Sequence, residues 1–285
     1  MTDDDGDLPD ELPGGRHSKP AVQGGKGTWL AQYGLTPADL AGKIITVAAY
    51  KGGVGKTFLA FELAYMLGAI YLDLDWDDGN GTGSWGYNQD KRLKAPLLEA
   101  IQKGRVPRPL AGGPWRPDLV PCFREFVVSQ PSAKEMAKLV TMWAGAWGDE
   151  QKVPVVVDTH NGGGIPSAAG AVAAGHVVVM PAVLGEKEMR ATEGALLELR
   201  SHPLLLIPNM VPPSPPDRYI TRLERAAEEA QVPIGPVVGE HRWLKTRSRR
   251  MAVTASQPTP KRAQVMVDEL HEVGRTVVSY VRAAA

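Results

Sequence analysis

The chain has 285 residues, 43% of them hydrophobic, which is enough to bury a sizeable core in one large domain or two smaller ones. Basic and acidic residues balance at 32 each, so the total charge indicates no class of partner. A single cysteine, Cys122, excludes an internal disulfide, argues against iron–sulfur chemistry and favours a cytoplasmic protein. No apolar run approaches the roughly 20 residues that span a bilayer, and the acidic start is unlike a secretory or transit signal.

The first segment of the chain is poor in side chains that could be buried. Residues 1–27 are acidic and then rich in Gly, Pro and Lys, which predicts a disordered N-terminal tail. Residues 28–285 then form the single folded domain. It opens with a short helix around Trp29 and a second one that starts at Thr36-Pro37, an N-cap followed by a helix-compatible proline.

A glycine-rich stretch, residues 50–57, lies between a predicted strand and a predicted helix. Residues 44–47 are apolar and β-branched, and residues 58–67 have a helical pattern. A glycine-rich turn in this position presents backbone N–H groups to an anion, and the helix N-terminus adds a favourable dipole. We expect Lys56 to reach the β- and γ-phosphates of a nucleotide, and the Thr57 hydroxyl to bind Mg²⁺.

The loop departs from the standard phosphate loop, because Tyr50 stands in place of a glycine and Lys51 precedes the glycine pair. The sequence KGGVGKT resembles the deviant phosphate loop of the ParA/MinD superfamily of dimeric ATPases. The resemblance implies an α/β fold: a single P-loop NTPase domain with a mostly parallel, twisted sheet and helices on both faces. The residues that it assigns to ATP are Lys51, Gly52, Gly53, Val54, Gly55, Lys56, Thr57 and Phe58.

Lys51 is the residue that implies a dimer. In the family this signature lysine reaches across a homodimer to the partner's nucleotide. The resemblance therefore assigns Lys51 to catalysis in the partner's site, and it assigns Lys56 to catalysis in the site of its own chain. A surface lysine without a role, in a turn without a ligand, is the alternative interpretation.

Apolar runs recur along the chain with helical segments between them, which favours a parallel sheet covered on both faces. After residues 44–47, the predicted strands are residues 69–75, 153–158, 176–180, 204–209 and 232–238. The further predicted helices are residues 94–103, 132–147, 186–201, 216–230 and 261–282, the last as a packing helix. Residues 104–117, rich in Pro and Gly, are predicted to be a loop.

Acidic residues stand where predicted strands end. Asp73 and Asp75 end one strand and Asp158 ends the next, and ligands of a parallel sheet lie at the carboxyl ends of its strands. We therefore expect these carboxylates to converge near Lys56 and Thr57. Loop-forming aspartates without a ligand are the alternative.

The segment from Asp73 to Asn80 resembles the switch I motif of the ParA family, in which D-x-D-P-Q-G-N is usual. The resemblance assigns Asp75 to the catalytic carboxylate that orients or activates the attacking water. In this chain Trp76 stands where proline is usual, and acidic residues replace the glutamine. The geometry after Asp75 is therefore the least predictable part of the motif.

Val157-Asp158-Thr159 resembles the Walker B end of the family, in which the aspartate holds Mg²⁺ through a water. The predicted metal set is Thr57, Asp75 and Asp158. His160 follows in a glycine-rich loop, where a lone histidine is expected to be a solvated surface residue. Asn209 matches the position at which relatives contact the adenine ring.

A basic segment follows the last predicted strand. Residues 241–267 carry cations and no acid, whereas residues 3–11 carry acids and no base. Such a segment can neutralise DNA phosphates without reading sequence, and a dimer would double it. Arg222 and Arg225 on the preceding helix extend this patch, and a solvated charged face is the alternative. The residues assigned to DNA are Arg242, Lys245, Arg247, Arg249 and Arg250.

The resemblance implies a ParA family partition ATPase of the small type, without an N-terminal helix-turn-helix domain. ATP would close a homodimer that binds DNA non-specifically, and slow Mg²⁺-dependent hydrolysis, stimulated by a centromere-binding ParB-like partner, would release it. The expected location is cytoplasmic, on the nucleoid and away from the membrane. The alternatives are a MinD-like membrane-associated positioning ATPase and a small-molecule kinase or synthetase on the same fold.

Overall fold

A six-stranded, all-parallel sheet forms the centre of the computed structural model, which describes residues 25–77, 79–87, 96–162, 164–247 and 250–283. The strands lie in the order β3-β2-β4-β1-β5-β6, with β1 and β4 in the middle. They are β1 Ile44–Val47, β2 Ile70–Asp73, β3 Asp118–Val120, β4 Val155–Asp158, β5 Val177–Ala182 and β6 Leu204–Pro208. All strand residues except Asp118 are buried, as expected for a parallel sheet covered on both faces.

Helices follow the strands along the chain. The helices are α1 Lys56–Leu67, α2 Gly81–Trp85, α3 Pro96–Lys103, α4 Ala133–Gln151, α5 Pro166–Ala174, α6 Glu186–Leu199, α7 Asp217–Ala230 and α8 Gln264–Ala283. Short 3₁₀ helices, Thr28–Tyr33 and Pro37–Leu40, occupy the two positions predicted before β1. Among the described helices, none is both long enough and apolar enough to cross a bilayer.

The two faces of the sheet have separate cores. One core joins α1 and α8 to alternate strand residues such as Ile45 and Tyr71. On the other face, α3 and α4 cover Ile44 and Leu72, and α6 and α7 cover Met180. The α8 helix is a packing helix, as predicted, although its first valine, Val265, is exposed.

The chain differs from the sequence prediction at four strands or α-helices, one of which is the short helix α2, which was not predicted. Residues 232–238 form no strand; they make only isolated bridges, Ile234 to Leu206 and, just beyond, Gly239 to Val211. Pro233 and Pro236 lack the N–H groups that a strand needs, which explains the difference. The short strand β3 and the helix α5 were not predicted.

The predicted tail overlaps the folded part. Lys26 forms an ion pair with Asp118, and the Gly27 N–H donates to the carbonyl oxygen of Tyr65 at 3.0 Å. Residues 1–24 lie outside the described residues, so the disorder predicted for them stays a prediction.

The strand register brings the ends of the central strands to one edge. Asp158 at the end of β4 is paired with Val47 at the end of β1 and with Asp73 at the end of β2. The loops that leave these strands therefore start side by side. The glycine-rich loop after β1 consequently begins next to both aspartates.

Helices α4 and α5 approach each other closely at Gly170. A Cβ atom there would lie 2.6 Å from the Ala133 carbonyl oxygen and 2.6 Å from the Met136 Cβ. We expect Gly170→Ala to lower the free energy of unfolding by about 1–3 kcal/mol, because the two helices must move apart. Gly145→Ala is the matched control on α4, since a Cβ there meets nothing within 4 Å. Urea denaturation of both variants checks the prediction, and equal stability of the two would contradict it.

Candidate active site

A cavity of about 660 Å³ opens at the carboxyl ends of the strands. The described residues that line it belong to the glycine-rich loop with the start of α1, to the loop between β2 and α2, and to the basic segment, which contributes Leu244, Arg247, Arg250 and Met251. Asn161 and Met210 also line it. Lys56 and Thr57 line it together with Asp75 and Asp77, so the structure brings together most of the residues predicted for a nucleotide site.

Gly55 shapes the floor of the cavity. Its φ angle of 90° is strained for other residues, and a Cβ there would lie 2.3 Å from the Asn209 Nδ2 atom. The Asn209 amide instead donates to the Val54 carbonyl oxygen at 2.7 Å. The tight contact fixes the loop against the end of β6, and α1 starts at the next residue, Lys56.

Asn209 is buried, and its amide braces the loop. Its neighbour Met210, with a φ angle of 53°, lines the cavity beside Leu244 and Met251. These apolar side chains are suited to the flat face of a nucleotide base. The adenine contact of Asn209 itself stays a prediction.

Lys56 is buried, and its ammonium group donates a hydrogen bond to the Asn161 Oδ1 atom. Asn161 belongs to the loop after β4 and also lines the cavity. Asn161 was not among the site residues predicted from the sequence. Its position, three residues after Asp158, was the signal that could have identified it.

Asp158 is fully buried, and one of its two oxygens has a defined partner. The Tyr71 hydroxyl donates to its Oδ2 atom at 2.8 Å, whereas Oδ1 forms no hydrogen bond with a described residue. Burial raises the pKa of Asp158 to about 6, and the Lys56 ammonium, the Tyr71 hydroxyl and the Thr57 hydroxyl oppose the shift.

An orphaned carboxylate oxygen beside a threonine hydroxyl is a donor set that fits Mg²⁺, which prefers oxygen ligands. Asp158 and Thr57 supply these atoms, and Asp75, which lines the cavity together with Thr57, supplies a second carboxylate. Asp158 itself is not among the described residues that line the cavity. The predicted metal set therefore fits the ion in its chemistry, and its role in binding stays a proposal.

Asp73 is also buried, and both of its carboxylate oxygens accept hydrogen bonds within the fold. Its oxygens accept from the Asp75 N–H at 3.0 Å and from the Thr82 N–H and hydroxyl, each at 2.6 Å. Burial, followed by the nearby charge of Asp158, raises the pKa of Asp73 well above its usual range. Asp73 thus orders the loop between β2 and α2.

Asp75 is held at the edge of the cavity by that loop. Its Oδ1 atom accepts from the Asp77 N–H at 3.0 Å, and its carbonyl oxygen accepts from the Asn80 side chain at 2.7 Å. Burial raises the pKa of Asp75, and the Asp77 N–H and the nearby His160 and Lys56 side chains oppose this shift. Asp78, also part of the predicted switch I segment, lies outside the described residues.

His160 is not the solvated surface residue expected from the sequence. Its ring stacks on Trp76 with 4.1 Å between centroids, and its side chain is only 15% exposed. Its Nε2 atom lies 3.0 Å from the Asp77 Oδ2 atom and 4.0 Å from the Asp75 Oδ1 atom. His160 therefore links the loop after β4 to the loop after β2.

Lys51 stands apart from these residues. It is exposed on the glycine-rich loop and is not among the described residues that line the cavity. The structure therefore leaves its side chain accessible, and its predicted role in a partner's site stays a proposal.

The basic segment divides into two groups. Arg242 and Lys245 are 85% and 78% exposed, with Glu240 oxygens 3.8 and 3.5 Å away. Arg247 and Arg250 line the cavity instead, and Arg249 lies outside the described residues.

The predicted extension of the basic patch is not supported. Arg222 pairs with Glu193 and Glu186, and Arg225 pairs with Glu229. Because both guanidinium groups are balanced by carboxylates, they add little positive potential to the surface.

A buried carboxylate on α1 connects the basic segment to the phosphate loop. Glu62 accepts hydrogen bonds from the Val253 N–H, the Thr254 N–H and the Thr254 hydroxyl. Burial raises the pKa of Glu62, while these donors and the charge of Arg247 oppose the shift. Glu62 and Arg247 both line the cavity.

The buried aspartates predict a pH dependence of stability. The pKa of Asp158 rises from 3.8 to about 6 on folding, so between these values the folded chain binds more protons than the unfolded chain. The free energy of unfolding of the metal-free protein should therefore fall as the pH rises from about 4 to about 6. Asp158→Asn should reduce this fall by an amount on the order of 2 kcal/mol.

Chemical denaturation in a chelator, at several pH values, measures the effect. Asp149→Asn, which changes an exposed aspartate on α4, is the control and should keep the wild-type dependence. An Asp158→Asn protein with the wild-type pH profile would contradict the assignment.

No protein-family model matches the sequence, and no curated protein matches it. Among solved structures, the chain is similar to apo McdA of Cyanothece, with a TM-score of 0.64 at 18% identity over 83% of this chain and 99% of that one. It is similar to MinD, the cell division ATPase of Pyrococcus furiosus, with a TM-score of 0.62 at 16% identity over 82% and 99%. It is also similar to a Borrelia burgdorferi B31 protein assigned to plasmid partition, bound to AMPPNP, with a TM-score of 0.60 at 17% identity over 83% of this chain and 98% of that one.

The same fold also carries metabolic chemistry. Cobyrinic acid a,c-diamide synthase of Mycobacterium smegmatis, with bound ADP and magnesium, gives a TM-score of 0.60 at 19% identity over 85% of this chain and 96% of that one. At these identities the comparison shows the architecture alone. The chain has the fold of the ParA/MinD superfamily of P-loop ATPases.

Proposed function

We propose that this protein is a ParA-type ATPase for DNA segregation: its ATP-bound homodimer binds DNA non-specifically, and hydrolysis releases it. The observation that carries the proposal is the cavity that the loop KGGVGKT lines together with the buried carboxylate of Asp75, with exposed cations on the segment that borders it. The similarity to a protein assigned to plasmid partition supports the choice of process.

Nucleotide binding is assigned to the glycine-rich loop. Its N–H groups and the start of α1 would surround the phosphates, and Lys56 would exchange its hydrogen bond to Asn161 for a phosphate oxygen. Thr57 and Asp158 would hold Mg²⁺, which supplies positive charge to the phosphates when bound. Phe58, Met210 and Met251 line the apolar side of the cavity, where the base would lie.

Hydrolysis is assigned to Asp75, which would orient or activate the attacking water. Phosphoryl transfer to water depends mainly on positioning and charge neutralisation. The Asp75 carboxylate is suited to this task, because the Asp77 N–H holds the carboxylate and the Asn80 side chain holds the Asp75 backbone. Lys51 would act on the nucleotide of a second copy, and its exposure supports a role outside its own cavity.

DNA binding is assigned first to Arg242 and Lys245, because both are exposed. Glu240 stands close to both cations and weakens the local positive potential. The expected binding is therefore modest, independent of sequence and sensitive to salt. Release from the nucleoid by a centromere-binding, ParB-like partner belongs to the same proposal.

A MinD-like membrane switch is the first alternative. It would need an amphipathic helix with a free apolar face. The α8 helix instead buries its apolar face against α1 and the sheet, including Val277 and Val281. ATP-dependent pelleting with anionic liposomes would support the membrane alternative over DNA binding.

A small-molecule kinase or synthetase is the second alternative, since the fold occurs in such an enzyme. That function predicts fast ATP turnover that depends on a small acceptor and is indifferent to DNA. Size-exclusion chromatography with light scattering, in ADP and in ATP and with and without DNA, separates these functions. A monomer in ATP and Mg²⁺ that is not retained on DNA at low salt would overturn the partition proposal.

Two substitutions should shift the monomer–dimer equilibrium in ATP in opposite directions. Lys51→Ala should bind ATP and remain monomeric, because the contact across the interface is lost. Asp75→Ala should bind ATP, hydrolyse it at least about 100-fold more slowly than wild type, and accumulate as a DNA-bound dimer. Light scattering and single-turnover ATPase assays measure both outcomes.

Lys187→Ala removes an exposed lysine from α6 and is the control for a change of charge alone. It should behave as wild type. Hydrolysis at the wild-type rate by Asp75→Ala would show that the role proposed for Asp75 is wrong. Formation of an ATP-dependent dimer by Lys51→Ala would do the same for the role proposed for Lys51.

The division of the basic segment predicts two different phenotypes. Arg242→Ala with Lys245→Ala should weaken DNA retention at low salt about tenfold or more, because two phosphate contacts per subunit are lost, and should leave ATP affinity unchanged. Arg247→Ala with Arg250→Ala should weaken ATP binding as well, because both residues line the cavity.

DNA retention at several salt concentrations and fluorescent-nucleotide titration measure the two effects. Equal DNA retention by wild type and the Arg242/Lys245 variant would mean that these residues belong to a solvated charged face that binds no DNA.

A further inference from the structure

The His160 ring has a fixed orientation. It stacks on Trp76 with 6° between the ring planes, and its Nδ1 atom lies 2.9 Å from the Asn161 carbonyl oxygen. A carbonyl oxygen can only accept, so Nδ1 carries the hydrogen of this bond. In the neutral ring, Nε2 therefore presents its lone pair.

That lone pair faces two carboxylates. Nε2 lies 3.0 Å from the Asp77 Oδ2 atom and 4.0 Å from the Asp75 Oδ1 atom. A nitrogen lone pair and carboxylate oxygens repel one another unless they share a cation. The geometry thus requires either a proton on Nε2 or a metal ion among the three groups.

We propose that Asp75, Asp77 and His160 bind a divalent transition-metal ion of the zinc class, at a site that shares Asp75 with the predicted magnesium set but includes neither Thr57 nor Asp158. The three ligand atoms lie within 4.8 Å of one another. Two ligands of one zinc ion, each about 2.1 Å from it, are at most about 4.2 Å apart. Both distances from Nε2 are shorter than this, and a small movement of the exposed Asp77 side chain brings the two carboxylates within the same limit.

The surroundings of His160 match those of histidines that bind metals. Such histidines donate their other ring N–H to a carbonyl or carboxylate, as His160 does to Asn161. Imidazole nitrogen selects zinc, cobalt or iron over magnesium, which prefers oxygen ligands alone. Asp77 is 57% exposed, so its carboxylate can adjust to the ion and solvent can complete the coordination.

Binding at this site would affect the proposed ATPase. The ion would join the loop after β2 to the loop after β4 and would occupy Asp75, so hydrolysis should be inhibited. This consequence rests on the proposed function, whereas metal binding itself does not. A binding experiment on the nucleotide-free protein therefore tests the site independently of the ATPase.

The test is a titration of the nucleotide-free chain, without a histidine tag, with Co²⁺ in an excess of Mg²⁺. Visible absorption and calorimetry should report one saturable equivalent. His160→Ala and Asp77→Asn should weaken binding at least about 100-fold, since the loss of an outer-shell partner alone costs about 10–100-fold. His241→Ala, which removes another histidine paired with a single carboxylate, Glu269 at 2.7 Å, should leave binding unchanged.

Tryptophan emission locates the ion. Co²⁺ bound next to Trp76 should quench part of the emission at the same stoichiometry. Trp76→Phe should lose that part and still bind Co²⁺. Absence of saturable binding would mean that a proton is the shared cation and would overturn the proposal. Unchanged affinity in both His160→Ala and Asp77→Asn would place the metal elsewhere and would also overturn it.

Discussion

Two buried aspartates at the ends of neighbouring strands are the constraint on which the site depends. The register sets Asp73 on β2 beside Asp158 on β4, and both are fully buried. Two like charges in a low-dielectric region are unfavourable unless each has its own compensation. The fold solves the problem differently for each: Thr82 and backbone N–H groups satisfy Asp73, whereas Asp158 keeps one unpaired oxygen close to Lys56.

The two aspartates therefore have different roles, because Asp73 orders the loop whereas Asp158 keeps an oxygen available to a ligand. Asp73 accepts hydrogen bonds from the loop that leads to α2, and that loop in turn fixes Asp75. Tyr71 links the two strands by donating to Asp158, and Gly81 at the start of α2 leaves room for its hydroxyl, since a Cβ there would lie 1.9 Å from it. The packing that orders the loop therefore places the Tyr71 hydroxyl on one oxygen of Asp158 and leaves the other oxygen available to a ligand.

The sequence was informative where local patterns carry the signal. The phosphate loop, the carboxyl-end aspartates, the parallel sheet and α8 all follow from motif spacing or periodicity. The α5 helix was missed because its run of Ala and Gly has no apolar stripe, and β3 because its three residues lie between prolines. His160 and Asn161 could not be placed, since their contacts with Trp76 and Lys56 join segments that are far apart in the chain.

The basic segment shows why the charge of a sequence run does not predict a surface. Residues 241–250 carry cations and no acid, yet the fold turns Arg247 and Arg250 toward the cavity and sets Glu240 beside Arg242 and Lys245. Glu62 joins residues 253–254 to α1 through hydrogen bonds, about one and a half to two turns beyond Lys56. A ligand at the phosphate loop and a polyanion on the exposed cations would therefore act on one connected segment. Under the proposed function, such a connection would give nucleotide binding a physical route to the affinity for DNA, because both ligands would bias the position of the same loop.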